Sequence, residues 1–282
     1  MTCLITGATG MVASRVVEYL LERGERPRIF VRNAQKALAR YGNSVDVAVG
    51  DLADASSLRA SLTGVDALFL VNSGPEIAGR DRAAATAAKA AGVKHLVKLS
   101  SMDTQRCVGT GVWHARGEAA IRDAGISFTF VQPTGFMSNA LEWAHSITAE
   151  SVVRAPTGEG KIPFIHPDDI AAVVTEALTS SNYVGASLPI TGPLALSYAE
   201  MTAQLSSAIG KPLTFESVDE EHERREMLAA GAPIEIVEAH ISIYRAIREG
   251  RLASVTGTVE RILRRKPLTF AQWARENAAA FR

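Results

Sequence analysis

Gly7 and Gly10 stand in a turn, Gly7-Ala8-Thr9-Gly10, between the apolar, β-prone run Thr2 to Thr6 and a helical pattern that opens at Met11. Glycine is needed where a side chain would block a phosphate or where the turn demands positive φ. A helix starting directly behind such a turn offers free N–H groups and a partial positive charge to an anion. Strand, glycine turn and helix in this order is the context in which glycines cradle a dinucleotide diphosphate. The spacing is G-x-x-G-x-x-A, and Ala13 is small enough for helix and strand to pack closely. Gly7, Thr9 and Gly10, with Met11 and Val12 at the helix start, are the expected diphosphate contacts.

Further polar residues recur where strands are expected to end. Arg32 follows the second strand, where an acidic residue would hold the ribose hydroxyls of NAD. An arginine there suits a 2′-phosphate, and Lys36 one helical turn on adds charge. This favours NADP(H) over NAD(H), against the alternative of a solvated pair of surface cations. Asp51 and Leu52 after the third strand suit the adenine, and Asn72 and Ser73 after the fourth suit the inner ribose. Ser100 and Ser101 after the fifth are placed near the nicotinamide.

The elements that must position these residues read as alternating strands and helices. Strands are expected at Thr2 to Thr6, Pro27 to Arg32, Val45 to Val49, Val65 to Val71, Lys94 to Leu99 and Ile126 to Gln132. Between them lie helical stretches capped by Asn33 and Asp54 and stopped by Gly24, Gly64, Gly92 and Gly125. The pattern is that of an α/β, Rossmann-type, doubly wound parallel sheet, in which ligands bind outside the carboxyl ends of the strands. Residues 1–135 are expected to form the dinucleotide-binding core. Residues 136–282 are expected to form a mostly helical substrate-binding cap, with a segment of about 151–192 returning strands to the sheet. In that half Ser197 and Thr269 are N-cap candidates, and Asp168 is expected to cap the helix behind Pro167.

Of the 282 residues, 47% are hydrophobic, as in a globular chain with a substantial core. Thirty basic and thirty acidic residues balance, which argues against nucleic acid and against an anionic membrane surface. No apolar run approaches the roughly 20 residues of a membrane span, and with a strand expected from residue 2 no leader is expected. Cys3 and Cys107 are far apart, which suits a reducing compartment, so a cytoplasmic location is expected. No pair of the six histidines has metal-helix spacing, and no metal is expected.

The run Thr6 to Ala13 (TGATGMVA), Val31-Arg32-Asn33, Gly50-Asp51-Leu52 and Leu99-Ser100-Ser101 resemble the extended and atypical short-chain dehydrogenase/reductase superfamily. His114-Ala115-Arg116-Gly117-Glu118, Gln132-Pro133-Thr134-Gly135-Phe136-Met137-Ser138-Asn139 and Ile165-His166-Pro167-Asp168-Asp169 narrow the resemblance to the NmrA-like group, which includes quinone and azo reductases. The resemblance is strong over about residues 2–180 and loose beyond. It implies a Rossmann domain with a small substrate-binding portion.

The chain departs from the superfamily in its chemistry. The usual proton donor is the tyrosine of Tyr-x-x-x-Lys, and no tyrosine here has a lysine four residues later. His114 stands in the expected helix and becomes the candidate for proton delivery, with Ser100 or Ser101 as hydrogen-bond donor. The alternative gives His114 a structural bond to Glu118 four residues on. Pro133 and Phe136 are placed beside the cofactor, and Phe136, Met137, Trp143 and His145 line the acceptor pocket, although their spacing equally describes plain core. The expected activity is NADPH-dependent reduction of a small aromatic or conjugated carbonyl compound by a monomer or homodimer. The alternatives are an NADP(H)-sensing regulator without turnover, and a non-redox isomerase or coupling enzyme on the same fold.

Overall fold

The computed structural model describes residues 1–282, the side chain of Ala55 excepted. Its first half alternates strictly: β1 (Cys3–Thr6), α1 (Met11–Glu22), β2 (Arg28–Val31), α2 (Ala34–Tyr41), β3 (Asp46–Val49), α3 (Ala55–Ser61), β4 (Ala67–Leu70), α4 (Ile77–Ala90), β5 (His95–Leu99), α5 (Gly111–Ala124) and β6 (Phe128–Pro133). The second half comprises α6 (Ala144–Glu150), β7 (Val152–Ala155), β8 (Lys161–Ile162), α7 (Pro167–Thr179), β9 (Ser187–Ile190), β10 (Leu196–Ser197), α8 (Tyr198–Ile209) and β11 (Thr214–Ser217), then α9 (Glu220–Ala229), α10 (Ile234–Arg248), α11 (Thr258–Leu263) and α12 (Phe270–Glu276). No helix among the described residues is long and apolar enough to cross a membrane.

The expected six-strand alternation is present and gains a seventh member. The main sheet is parallel, in the order β3-β2-β1-β4-β5-β6-β9. Its order reverses between β1 and β4, which places the ligand crevice of a doubly wound sheet at their carboxyl ends. Parallel strands covered by helices on both faces are apolar throughout, and β1, β4 and β5 are buried at every position. Helix starts follow their side-chain caps. Asn33 accepts from the Lys36 N–H at 3.0 Å, Asp54 from Ser56 at 2.9 Å, and Ser197 and Thr269 each close a capping box.

The chain forms two compact units. The first holds residues 1–105, 111–132 and 170–188, and the second 106–110, 133–169 and 189–282. Within the segment about 151–192, from which strands were expected to return to the sheet, β9 joins the main sheet beside β6. β7 pairs with β11 and β8 with β10, in separate two-stranded ribbons. These strands are too short and isolated in sequence for periodicity to reveal their partners.

The second unit is built around an aromatic core of Trp143, Phe164, Tyr198, Phe270, Trp273 and Phe281. His166, not Asp168, caps α7: its Nδ1 accepts the Asp168 N–H at 3.1 Å. Asp169 is fully buried and accepts the Leu268 N–H at 2.7 Å, with Arg265 beside it at 2.6 Å. Glu220 joins α9 to α10 by pairing with Arg245 at 2.5 Å and with Arg248. The hydrogen bond from Arg245 leads in drawing the Glu220 carboxyl from 4.5 down to about 2. A lowered folded value stabilises above the unfolded value and is lost as pH falls through the folded one. Glu220→Gln is therefore expected to cost about 1 kcal/mol or less at neutral pH. It should also flatten the decline in melting temperature between pH 4.5 and 2. Thermal melts across that range, variant against wild type, check it.

Candidate functional site

The turn after β1 is held by contacts that leave its inner face open. Gly7 has φ +66°, and a Cβ there would sit 3.4 Å from Val71 Cβ. The Gly10 N–H donates to Gly7 O at 2.8 Å, and the buried Tyr41 hydroxyl donates to Ala8 O at 2.6 Å. Thr6 ties β1 to β4: its hydroxyl donates to Phe69 O at 3.0 Å and accepts the Val71 N–H at 2.8 Å. Gly10 then starts α1 with no side-chain cap and no acidic residue in the first turn. Unclaimed N–H groups and the helix dipole are thus directed at whatever occupies the crevice. Val12 itself is core, 5% exposed, so only its backbone can contribute, whereas the Met11 side chain is exposed.

A cavity of about 430 Å³ opens beside this turn within the first unit. Seven expected cofactor residues line it: Gly7, Thr9, Arg32, Asp51, Leu52, Asn72 and Ser73. Gly50 shapes its floor, since a Cβ there would meet the Phe30 ring at 2.5 Å. The Asp51 carboxylate accepts the Ala53 N–H at 2.9 Å and so fixes its own loop. Arg32 and Lys36 are exposed, and neither makes an ion pair among the described residues. Lys36 does not line the cavity, nor do Gly10, Met11 and Val12. Arg80 of α4 does, and sequence reasoning missed it because it lies in mid-helix rather than at a strand end.

Ser100 is buried, and its hydroxyl donates to Glu118 Oε1 at 2.6 Å. Its proton is already committed, so Ser100 can accept from a ligand but is not the donor it was expected to be. Glu118 also accepts from Gln132 at 2.7 Å and from Arg122 at 3.2 Å. The carboxylate is held by these three partners, and the alternative of a His114–Glu118 bond is not what forms.

His114 lies one helical turn before Glu118, nearer the rim at the carboxyl end of the sheet. The residue is half-buried, and its Nδ1 is sealed from solvent without a hydrogen-bond partner. Burial, helped by the positive charge of Lys98, holds the imidazole down from 6.5 to about 3. At neutral pH it is an uncharged ring that can donate from one nitrogen only. Lys98, in the middle of β5, and Asp81, in α4, are both fully buried and lie 2.5 Å apart. Asn72 Nδ2 donates to Asp81 Oδ1 at 2.9 Å. Neither charge was singled out in the sequence. The available signal was a lysine inside a strand buried on both faces, which requires a counter-charge.

The remaining expected residues lie in the second unit. Pro133 ends β6 and is buried, and Phe136 is half-buried and forms an isolated parallel bridge with Ile165. Met137 is 1% exposed and Trp143 is 8% exposed, its ring 5.1 Å from that of Tyr198. Both belong to the aromatic core, the plainer of the two readings of their spacing. His145 is exposed on α6 and is not gathered with them.

The profile of the NmrA-like family matches residues 1–274. The chain is 39% identical to a (4-alkanoyl-5-oxo-2,5-dihydrofuran-3-yl)methyl phosphate reductase of Streptomyces griseus, over 99% of this chain and 98% of that one. It is 37% identical to an NAD(P)H azoreductase of Xenophilus azovorans, again over 99% and 98%. Among solved structures, an NADPH-dependent quinone oxidoreductase of Escherichia coli complexed with NADPH superposes with a TM-score of 0.89 at 25% identity, covering 98% of this chain and 99% of that one. With its glycine turn, its parallel sheet and this match over nearly its whole length, the chain belongs to the NmrA-like family.

Proposed function

We propose that this chain, an oxidoreductase using a nicotinamide cofactor, is an NADPH-dependent reductase of small, flat, electron-poor acceptors such as quinones and conjugated carbonyl compounds. The observation that carries this reading is the glycine-walled cavity with Arg32 unpaired at its edge. The residues present fit the cofactor: Gly7, Thr9 and the α1 N-terminus meet the diphosphate, Arg32 the 2′-phosphate, and Asp51 and Leu52 the adenine. Asn72 and Ser73 flank the inner ribose. Pro133 and Phe136 remain the candidates beside the nicotinamide and the acceptor. The three relatives named above act, by their names, on a butenolide, an azo compound and a quinone, all conjugated acceptors.

When bound, the nicotinamide supplies the hydride. The protein must then stabilise the charge that develops on the acceptor oxygen, which takes its proton from water. His114 is suited to this as a hydrogen-bond donor: held uncharged, the ring offers one N–H without first requiring an acidic medium. Ser100 stays tied to Glu118 and orders the strand end.

Titration with NADPH and NADH, followed by quinones in the same cuvette, tests the reading. Tight NADPH binding with acceptor-dependent loss of the nicotinamide absorbance is expected. Binding without loss would favour a nucleotide sensor, and product without loss a non-redox enzyme. Arg32→Ala with Lys36→Ala should weaken NADPH about ten- to a hundredfold, the worth of charge-assisted bonds to one phosphate. NADH should be unaffected, and an unchanged ratio of the two affinities would overturn the 2′-phosphate assignment.

A further inference from the structure

The Asp81–Lys98 pair lies entirely inside the first unit, and both side chains are fully buried. Lys98 pairs in register with Leu70 at the carboxyl end of β4. Leu96, two residues before it, belongs to the core cluster that holds Ala84, Ala85 and Ala88 of α4. Side chains alternate along a strand, so Lys98 points to that same helix-covered face, where Asp81 of α4 meets it at 2.5 Å. Removing two opposite charges from water is costly, and apolar residues of similar volume commonly serve a core as well or better. Stability alone does not account for the pair.

What the pair touches next is a residue of the cofactor cavity. Asn72 lies two residues beyond Leu70, in the loop after β4, and its Nδ2 donates to Asp81 Oδ1 at 2.9 Å. Facing a buried ammonium, Asp81 is a carboxylate, and a carboxylate only accepts hydrogen bonds. The Asn72 amide can meet it by its nitrogen end alone, so the side chain is fixed in one of its two flipped states. The oxygen end is left over. No group among the described residues donates to Asn72 Oδ1, and Asn72 lines the cavity of about 430 Å³ together with Gly7, Thr9 and Ser73. Gly117 of α5 lies on the other side of the carboxylate. A Cβ there would overlap Asp81 Oδ2 and lie 2.7 Å from Ile77 Cγ2, so only glycine lets α5 close on α4 with the carboxylate between them.

We propose that Asp81 and Lys98 are positioning residues that hold the Asn72 amide with its oxygen toward the cavity, where it accepts a hydroxyl of the cofactor's inner ribose. The proposal rests on the dinucleotide reading of that cavity and deepens it. Lys98 supplies the charge that keeps Asp81 an acceptor, Asp81 turns the amide, and Asn72 Oδ1 makes the contact. An amide already fixed loses no freedom when the ribose arrives, whereas one released from Asp81 must be ordered by the ligand itself. The inner ribose is common to NADPH and NADH, so the contact serves both, unlike the phosphate contact of Arg32.

Calorimetric titration with NADPH and NADH tests it. Asn72→Leu should weaken both nucleotides about tenfold, the worth of one hydrogen bond whose ribose partner is left unpaired. A loss confined to NADPH, or no loss, overturns the proposal. Lys98→Met with Asp81→Leu removes both charges at similar volume. It should keep a melting temperature close to that of the wild type while weakening both nucleotides about threefold to tenfold. Added to Asn72→Leu, this double replacement should cost no further affinity, because the pair acts only through the amide. Wild-type affinity in the double variant, or an independent loss on top of Asn72→Leu, reduces the pair to ordinary core. The wild-type protein gives a readout that needs no variant to fold. In its ¹H–¹⁵N spectrum the two Asn72 amide protons should be well separated, one of them shifted downfield and slow to exchange through its bond to Asp81. Equivalent, rapidly exchanging protons overturn the proposal whatever the affinities. A wild-type protein that binds neither nucleotide would sink the cofactor reading and the ribose contact together, whereas binding that is insensitive to Asn72 sinks the ribose contact alone.

Discussion

Valine at position 7 is expected to weaken NADPH binding about a hundredfold, the largest single effect available in the cofactor cavity. Gly7 has φ +66°, a conformation that costs a β-branched residue about 1–2 kcal/mol. The Cβ would already be 3.4 Å from Val71, so the two extra methyl groups must go either against Val71 or into the cavity. Overpacking of that kind adds about 1–3 kcal/mol, and about 2.7 kcal/mol corresponds to a hundredfold in affinity. Gly24→Ala is the control. Gly24 has φ +75°, and a Cβ there meets nothing within 4 Å. It should lower the melting temperature through the same backbone strain while leaving NADPH affinity intact. Equal losses of affinity in the two variants would show that the Gly7 turn is a general structural element and not a nucleotide cradle. Calorimetric titration of both proteins separates the outcomes.

His114→Phe is expected to lower kcat at least about a hundredfold with little change in NADPH affinity, the usual span for loss of one hydrogen-bond donor to a developing oxyanion. Phenylalanine preserves the ring and most of the packing, so a loss of activity would report on the nitrogen atoms. The same variant carries a stability signature. The folded state holds the imidazole at about 3 against 6.5. Between these values the unfolded chain binds one more proton, so wild-type stability falls as pH falls from 6.5 towards 3 and is complete above 6.5. The slope is about 1.4 kcal/mol per pH unit for one group, or about 2–4 °C per unit in a chain of this size. His114→Phe should lose that share of the slope. Full retained kcat would remove His114 from the reacting site, and parallel melting curves would show that the ring is not held uncharged.

The turn Gly7 to Gly10, the order of strands and helices through β6, and the caps Asn33, Asp54, Ser197 and Thr269 were legible in the sequence. They rest on interactions between residues close along the chain. Positive φ at a glycine, a side-chain oxygen on an N–H two or three residues ahead, and an apolar run bounded by breakers all act within a few residues. The cavity lining was legible for a related reason. In a parallel doubly wound sheet, the residue after each strand is delivered to the same edge, so Arg32, Asp51 and Asn72 could be placed together without knowing one contact between them.

What the tertiary structure alone decided are pairings between residues far apart along the chain. The commitment of the Ser100 proton to Glu118 and Gln132, and the meeting of Asp81 with Lys98 under Gly117, depend on how α4 and α5 lie against β5. So does the burial that turns His114 from a titrating histidine into an uncharged one. Trp143 and Met137 went to core, and β7 and β8 to ribbons of their own, for the same reason: short apolar segments fit several partners, and only the folded packing selects one. Sequence fixes which backbone atoms can cradle a phosphate, because that is local geometry. Desolvation sets the protonation state of a side chain, and desolvation is a property of everything packed around it.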